Sequence, residues 1–457
     1  MPGRLIAGKA VSNELRRSLR IFDGLAMVIG IMVGAGIFRT PGLVARELGR
    51  PALTFVAWLL GGVLAFFGAL CFAELATRHP QAGGKYVYAR EAFGPRIGFM
   101  VGWVEGLVMY PAAIAALGVV IGEFFGRLVG LPPNVSRWVG VAAVALFTGV
   151  NIIGVTSGRW VQNISTTAKV LALGSIVVIA FAAGHGAGWH GALPGAPTGW
   201  ELFGALAVAF QSVIWSYYGY SDAAKIAEEM VDPARTLPRV FLVGIAIATG
   251  LYILLNAAFL HVLPFDRIAA SVLVAGDVAA TIFGPRADLV ITVLALLVVL
   301  ASINGNIFVT PRIMFGLARE GLGPRALMSV NAGGTPWAAM LVVGVVAMGL
   351  AATGTFGSLL AIAIALVLVV DSVAIGSLLV LRARQPEAPF RVPLYPFVPA
   401  AFIAVYMALF VGAALAQPGV VAIGTGVLVA AFGLSWLAPG TVATSPAGTE
   451  SRLPFPE

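Results

Sequence analysis

Few residues in this sequence are equipped for chemistry, and they sit where polar chemistry is costly. The stretch VIGIMVGAGIFRTPG, Val28 to Gly42, sets Gly30, Gly34, Ala35 and Gly36 in the middle of an apolar run. A second stretch, WSYYGYSDAAKIAEEM from Trp215 to Met230, places Gly219 among aromatic and polar residues. Glycine costs about 1 kcal/mol in a helix interior. In lipid, the N–H and C=O groups freed by a broken helix cost far more unless they are buried in protein or line a cavity. Bare backbone at a cavity presents helix-end dipoles to a charged solute. The alternative for either glycine cluster alone is a close helix-packing seam. Apolar runs also contain Lys169, Glu105, Asp371, Asn304 and Asn306, and Arg39 follows the first glycine cluster. Intramembrane ionisable groups mark substrate or ion pathways, or pair with one another as structural glue. A lysine in a dry site exchanges its proton readily, which makes Lys169 a candidate proton carrier. For Arg39, guidance of a carboxylate and a structural salt bridge both stand. Asp222 and Lys225 have helix-pair spacing. Glu228 and Glu229, with Arg235 and Arg239 nearby, read as an inner gate or a solvated face.

The elements that must hold these residues are long apolar helices. The 457-residue chain is 59% hydrophobic and 11% charged, with a mean hydropathy of +0.96. A soluble domain cannot hide that much apolar surface. Twelve spans are expected, at 24–49, 51–77, 96–126, 137–156, 160–183, 202–230, 238–263, 286–316, 336–353, 356–381, 396–416 and 418–437. Of 28 Lys and Arg, twenty fall in the segments and span ends on the N-terminal side of this map, Lys85, Lys225 and Arg312 among them. Six fall on the other side, and Arg39 and Lys169 lie within spans. This bias places both termini in the cytoplasm and accounts for the basic isoelectric point without nucleic acid. The 264–285 loop is expected to form a short surface helix.

Depth joins the two glycine clusters. At 1.5 Å per residue, Gly34 lies about 15 Å from the start of its span and Gly219 about 18 Å from the same face. Lys169, Glu105 and Asp371 lie about 14–16 Å deep by the same measure. Two interrupted helices five spans apart, meeting near the midplane, are the sequence mark of a transporter built from repeats.

Other classes find little support. Cys71, the only cysteine, sits in an apolar run, so no intrachain disulfide and no loop-borne disulfide to a partner are expected. His79, His185, His190 and His261 lie in loops or near span ends and suggest no metal cluster. No P-loop is present, and neither enzyme activity nor a cofactor is expected. The basic N-terminal segment has no cleavable signal pattern.

Five further stretches complete a pattern: FAELATRHPQAGGKYVYAREAFG (72–94), TTAKVLAL (166–173), YGYSDAAKIAEEMVDPARTLPR (218–239), ASINGNIFVTPRIMFGLAREGLGP (301–324) and FRVPLYPFVP (390–399). With GIMVGAGIF, this set resembles the amino acid–polyamine–organocation superfamily, and especially the L-amino acid transporter branch of its amino acid permeases. The resemblance implies an all-α membrane protein of the LeuT type. Its parts would be a cytoplasmic segment 1–23, a five-helix repeat 24–183, an inverted second repeat 202–381, helices 11 and 12 within 396–437, and a cytoplasmic tail 438–457. Helices 1 and 6 would be discontinuous.

The same resemblance implies a binding mode. A substrate α-carboxylate would meet the N–H groups of Gly34, Ala35 and Gly36, and its ammonium the carbonyls of Met32, Trp215, Ser216 and Tyr218, with Gly219 allowing close approach. Trp215 would be an outer gate. Lys169 would stand where sodium-coupled relatives hold a cation, implying sodium-independent transport by proton symport or exchange in a bacterial inner membrane. Ala35 replaces a frequent serine, Tyr220 a frequent tryptophan and Ser221 a frequent asparagine. Tyr218 is bulkier than the residue common there in the human branch, which favours small neutral L-amino acids. No disulfide-linked partner subunit is implied, and the oligomeric state, a monomer included, stays open. The alternatives are a polyamine or organic-cation permease and a non-transporting amino acid sensor.

Overall fold

The computed structural model describes residues 17–438 except 187, 285 and 286. Most of the expected N-terminal segment and all but the first residue of the expected tail therefore lie outside the described residues. Among the described residues there is no β-strand, only isolated bridges joining Leu19 to Met230 and Val330 to Pro336. Among the described residues, nine helices are long and apolar enough to cross a membrane, and Ile21–Met32 with Gly36–Leu48, bent by 40°, forms a tenth candidate. Trp337–Thr353 and Pro418–Leu434 are apolar but have only 17 residues each, about 26 Å at 1.5 Å per residue. A helix stands at each of the twelve expected places, and ten have the length and apolarity of a full span.

Local chemistry sets the boundaries. Pro51, Pro95, Pro133, Pro233 and Pro418 open helices, where the missing N–H costs nothing. Gly49 and Gly130 end helices in the left-handed region, at φ 64° and 73°. Large apolar side chains such as Leu146, Ile153, Leu171 and Val178 face outward, while Glu105, Asp371, Lys169 and Asn304 are buried. That inversion of the soluble pattern is what a lipid solvent selects.

The first half-helix, Ile21–Met32, lies inside the bundle against Val155–Ala183, Tyr220–Glu229, Pro233–Val262 and Ala287–Val309. Its continuation, Ala35–Leu48, packs on Gly199–Tyr217. The Leu19–Met230 bridge sets the start of the first span beside the end of the sixth, and this end of the bundle is called the N-terminal face below. The 264–285 loop departs from expectation. It forms two helices, Phe265–Ala270 and Val274–Phe283, that bury Phe265, Ile268, Val274 and Val278 instead of lying on the surface. The loop packs on the second half of the first span so closely that a Cβ on Gly42 would come within 2.3 Å of the Ser271 carbonyl oxygen.

Candidate functional site

The first span breaks between Met32 and Ala35, and several of the freed groups have partners. The Gly34 N–H turns back to the Met32 carbonyl at 2.9 Å. The carbonyls of Gly30 and Val33 receive the Lys169 ammonium at 2.7 and 2.6 Å, and its third bond goes to Ser302 Oγ at 3.0 Å. Lys169 therefore sits where the broken helix exposes oxygen, with all three donors satisfied. Ala35 and Gly36 open the second half-helix, so their N–H groups belong to its positive end. Gly36 also serves packing, since a Cβ there would lie 2.6 Å from Ser216 Oγ and 2.8 Å from Ser216 Cα.

The sixth span breaks at Tyr218 and Gly219. Gly199–Tyr217 is α-helical, Gly219 turns at φ 118°, and Tyr220–Glu229 continues as tight 3-10 turns. A Cβ at Gly219 would approach Ile31 Cγ2 to 2.7 Å and Met32 N to 3.1 Å, so the two breaks touch. Sequence reasoning missed the residue that ties them. The Tyr252 hydroxyl lies 2.6 Å from the Met32 carbonyl and 2.7 Å from that of Ser216. A buried tyrosine on an otherwise apolar helix gave no pattern to distinguish it from core.

Between the breaks lies a cavity of about 30 Å³, bounded by Met32, Gly34, Gly36, Trp215, Tyr218 and Asn306. That is room for roughly two waters, so the centre is contracted. Ser216 does not line it; its hydroxyl binds Thr40 Oγ1 at 2.8 Å and the Ser212 carbonyl at 3.0 Å beneath Gly36. Asn306 lines the cavity while donating to the Ser302 carbonyl at 2.9 Å. Asn304 lies elsewhere, in a buried seam with Asn151 at 2.8 Å and Gln162 at 3.0 Å.

The two sides of the cavity differ. Away from the N-terminal face, Trp215 meets Phe356 edge-on at 6.3 Å, and the Arg39 guanidinium covers Phe356 at 4.5 Å. Arg39 pairs with Glu123 at 2.8 Å, their side chains 23% and 46% exposed, and Glu123 also lines a separate cavity of about 560 Å³. Toward the N-terminal face the closure is thicker. Glu229 pairs with Arg312 at 2.8 Å, both fully buried, and its carbonyl accepts Ser18 and Leu19 N–H. Glu228 binds Arg319 at 2.7 Å and the Ala82 N–H at 2.8 Å. The expected neighbours of these glutamates were Arg235 and Arg239, but Arg235 lies against Asp232 instead. Arg312 and Arg319, distant in sequence, take that place.

Below Tyr218, toward the N-terminal face, a charged compartment forms. Lys85 was counted with the loop charges, yet it is buried. It reaches Asp371 at 2.5 Å, Tyr218 Oη at 2.6 Å and Glu105 at 3.4 Å. Lys225, at the inner end of its span, is buried against Asp222 as their spacing suggests, and Asp222 accepts the Tyr110 hydroxyl at 2.6 Å. The GGKYVY stretch holds Lys85 directly after the Gly83–Gly84 pair, whose φ of 120° and 67° turn the chain inward. That glycine pair was the available signal.

Helices broken at one depth around a small polar centre, sealed by ion pairs on one side and an aromatic contact on the other, define a carrier of small solutes. The comparisons with known proteins agree. The profile of the amino acid permease family matches residues 19–438, and the chain belongs to that family, within the amino acid–polyamine–organocation superfamily. It is 31% identical over 407 residues to the serine/threonine exchanger SteT of Bacillus subtilis (strain 168), covering 86% of this chain and 90% of that one. It is 28% identical over 421 residues to the mouse b(0,+)-type amino acid transporter 1, covering 89% and 84%. It is 29% identical over 445 residues to the mouse Asc-type amino acid transporter 1, covering 92% and 82%. Family and relatives are transporters rather than enzymes, and the protein is an integral membrane permease.

Proposed function

We propose that the protein is a sodium-independent secondary transporter of small neutral L-amino acids, working by alternating access through proton symport or exchange. The observation that carries this reading is Lys169 on the carbonyls of the first break. Its fixed ammonium occupies the oxygen-rich position at which a coupling cation would have to bind, so sodium has no role there. The substrate carboxylate lies against the N–H groups of Ala35 and Gly36, at the positive end of a half-helix. Its ammonium turns to the carbonyl ends beside Met32 and Trp215. The Gly34 N–H and the Met32, Trp215 and Ser216 carbonyls are already engaged internally, so they reach substrate as second partners or after their present partners move. Tyr218 and Trp215 leave little space for a side chain, which favours small neutral substrates.

Segments 24–183 and 202–381 act as the two repeats, and the central site opens alternately past Trp215–Phe356 and past Glu229–Arg312. The thinner closure is the outer gate, and the N-terminal face is cytoplasmic in a bacterial inner membrane. Buried Cys71 offers no external thiol to a partner subunit. Uptake of a panel of labelled amino acids and polyamines into proteoliposomes, with sodium or with choline, tests the reading. Uptake of alanine or serine in choline equal to that in sodium is expected. Loss of uptake without sodium, or uptake of polyamines alone, overturns it.

A further inference from the structure

Three carboxylates share two ammonium groups in the compartment below Tyr218. Asp222 pairs with Lys225, Asp371 holds Lys85 at 2.5 Å, and Glu105 is left with a distant share of Lys85 at 3.4 Å; all five side chains are buried. Oε2 of Glu105 and Oδ2 of both aspartates have no hydrogen-bond partner among the described residues. The other titratable groups facing the carboxylates are Tyr88, Tyr110, Tyr218, Tyr220 and Tyr406, which carry no charge at ordinary pH. Fully ionised, the compartment has one negative charge in excess among buried side chains, an arrangement proteins avoid. One proton removes the excess. Glu105, the carboxylate with the weakest hold on an ammonium, is its natural seat.

A second feature marks the same residue. Glu105 opens a π-helical turn, Glu105–Met109, inside the third span. Such turns are rare and concentrate at functional sites. The turn leads directly to Tyr110, whose hydroxyl lies 2.6 Å from Asp222 and 3.2 Å from Tyr218 Oη. Lys169, by contrast, uses three donors on three acceptors, and a neutral amine has only two hydrogens.

We propose that Glu105 binds the proton that this transporter moves with its substrate, and that Lys85 and Tyr218 link that proton to the central cavity. The inference rests on the transport reading above. With Glu105 protonated, Lys85 belongs to Asp371 and to Tyr218 Oη, which is the arrangement seen. An ionised Glu105 draws Lys85 away and releases Tyr218, a wall of the cavity. The state that holds the proton is then the state that shapes the pocket, and by reciprocity substrate favours the proton. The proton comes from solution on one side and returns to solution on the other; no other species changes.

The test compares gradient-driven uptake with counterflow in proteoliposomes. With an inward gradient of about one pH unit, the wild type is expected to accumulate labelled L-alanine about tenfold. Glu105→Gln mimics the protonated carboxyl, and the ratio of gradient-driven uptake to counterflow is expected to fall about tenfold with it. Tyr218→Phe keeps the ring, cuts the bond to Lys85, and is expected to lower the same ratio. A merely structural role would lower both kinds of uptake together. In infrared difference spectra of purified protein, stepped from alkaline to acid, the wild type is expected to show a protonated carboxyl band that Glu105→Gln lacks. Retained gradient accumulation in Glu105→Gln, loss of the gradient effect only in Lys169→Gln, or a wild type that exchanges without responding to the gradient would overturn the proposal. No counterflow of any amino acid by the wild type would overturn the transport reading instead, and the infrared band alone would then decide whether Glu105 holds a proton.

Discussion

Replacing Lys169 by methionine removes three donors while keeping a long side chain. In the native protein its ammonium serves the carbonyls of Gly30 and Val33 at 2.7 and 2.6 Å. Ser302 Oγ stands near both, at 2.9 and 3.1 Å. A hydroxyl carries one hydrogen, so in the variant Ser302 satisfies one carbonyl and leaves the other buried without a donor. An orphaned buried acceptor costs about 1–3 kcal/mol. That cost falls on the geometry of the first break, which forms one wall of the cavity, so it appears as a loss of binding-competent population. Affinity for L-alanine is then expected to fall about 5- to 150-fold, read by competition binding on purified protein. Lys169→Gln retains two donors and is expected to recover part of the loss. Unchanged affinity in Lys169→Met, or equal losses in the methionine and glutamine variants, would refute the hydrogen-bond accounting.

Other consequences can be read from the same contacts. Arg312→Ala leaves Glu229 as an uncompensated buried charge, at about 3–5 kcal/mol; folded yield by size exclusion is expected to collapse, and Arg312→Met combined with Glu229→Gln to restore much of it. Arg39 and Glu123 are partly exposed, and such pairs contribute at most about 1 kcal/mol; Arg39→Gln is expected to leave the melting temperature nearly unchanged. Trp215→Ala removes the ring that meets Phe356; faster release of bound substrate is expected, and a wild-type release rate would remove the gate assignment. Cys71 is buried; maleimide labelling is expected only after denaturation.

Much of this architecture is legible in the sequence because lipid enforces long apolar runs and penalises every exception. The breaks at Gly34 and Gly219, and the depth of Lys169, follow from that penalty alone. Partnerships were harder to read. Glu105 and Asp371 are visible as costly, but their cation, Lys85, looks like an ordinary loop charge until Gly83 and Gly84 turn it inward. Glu228 and Glu229 find Arg319 and Arg312, some ninety residues distant, rather than the arginines nearest in sequence, because tertiary packing and not spacing brings the eighth span to the end of the sixth. The Ser216 carbonyl, expected to be free at the break, faces the Tyr252 hydroxyl at 2.7 Å, a partner 36 residues away that spacing does not reveal. The 264–285 loop reads as surface because its apolar residues are short runs, yet it has a half-helix beneath it to bury them.

In the proposed function, an amino acid is carried through the touching breaks of the first and sixth spans. Counterflow of labelled L-alanine into preloaded proteoliposomes tests it most directly, with the wild type compared with Gly36→Val and Gly349→Ala. A side chain at Gly36 meets Ser216 within 3 Å, whereas one at Gly349 meets nothing within 4 Å. Counterflow is expected from the wild type and from Gly349→Ala, and none from a folded Gly36→Val. Full counterflow through Gly36→Val would contradict that reading.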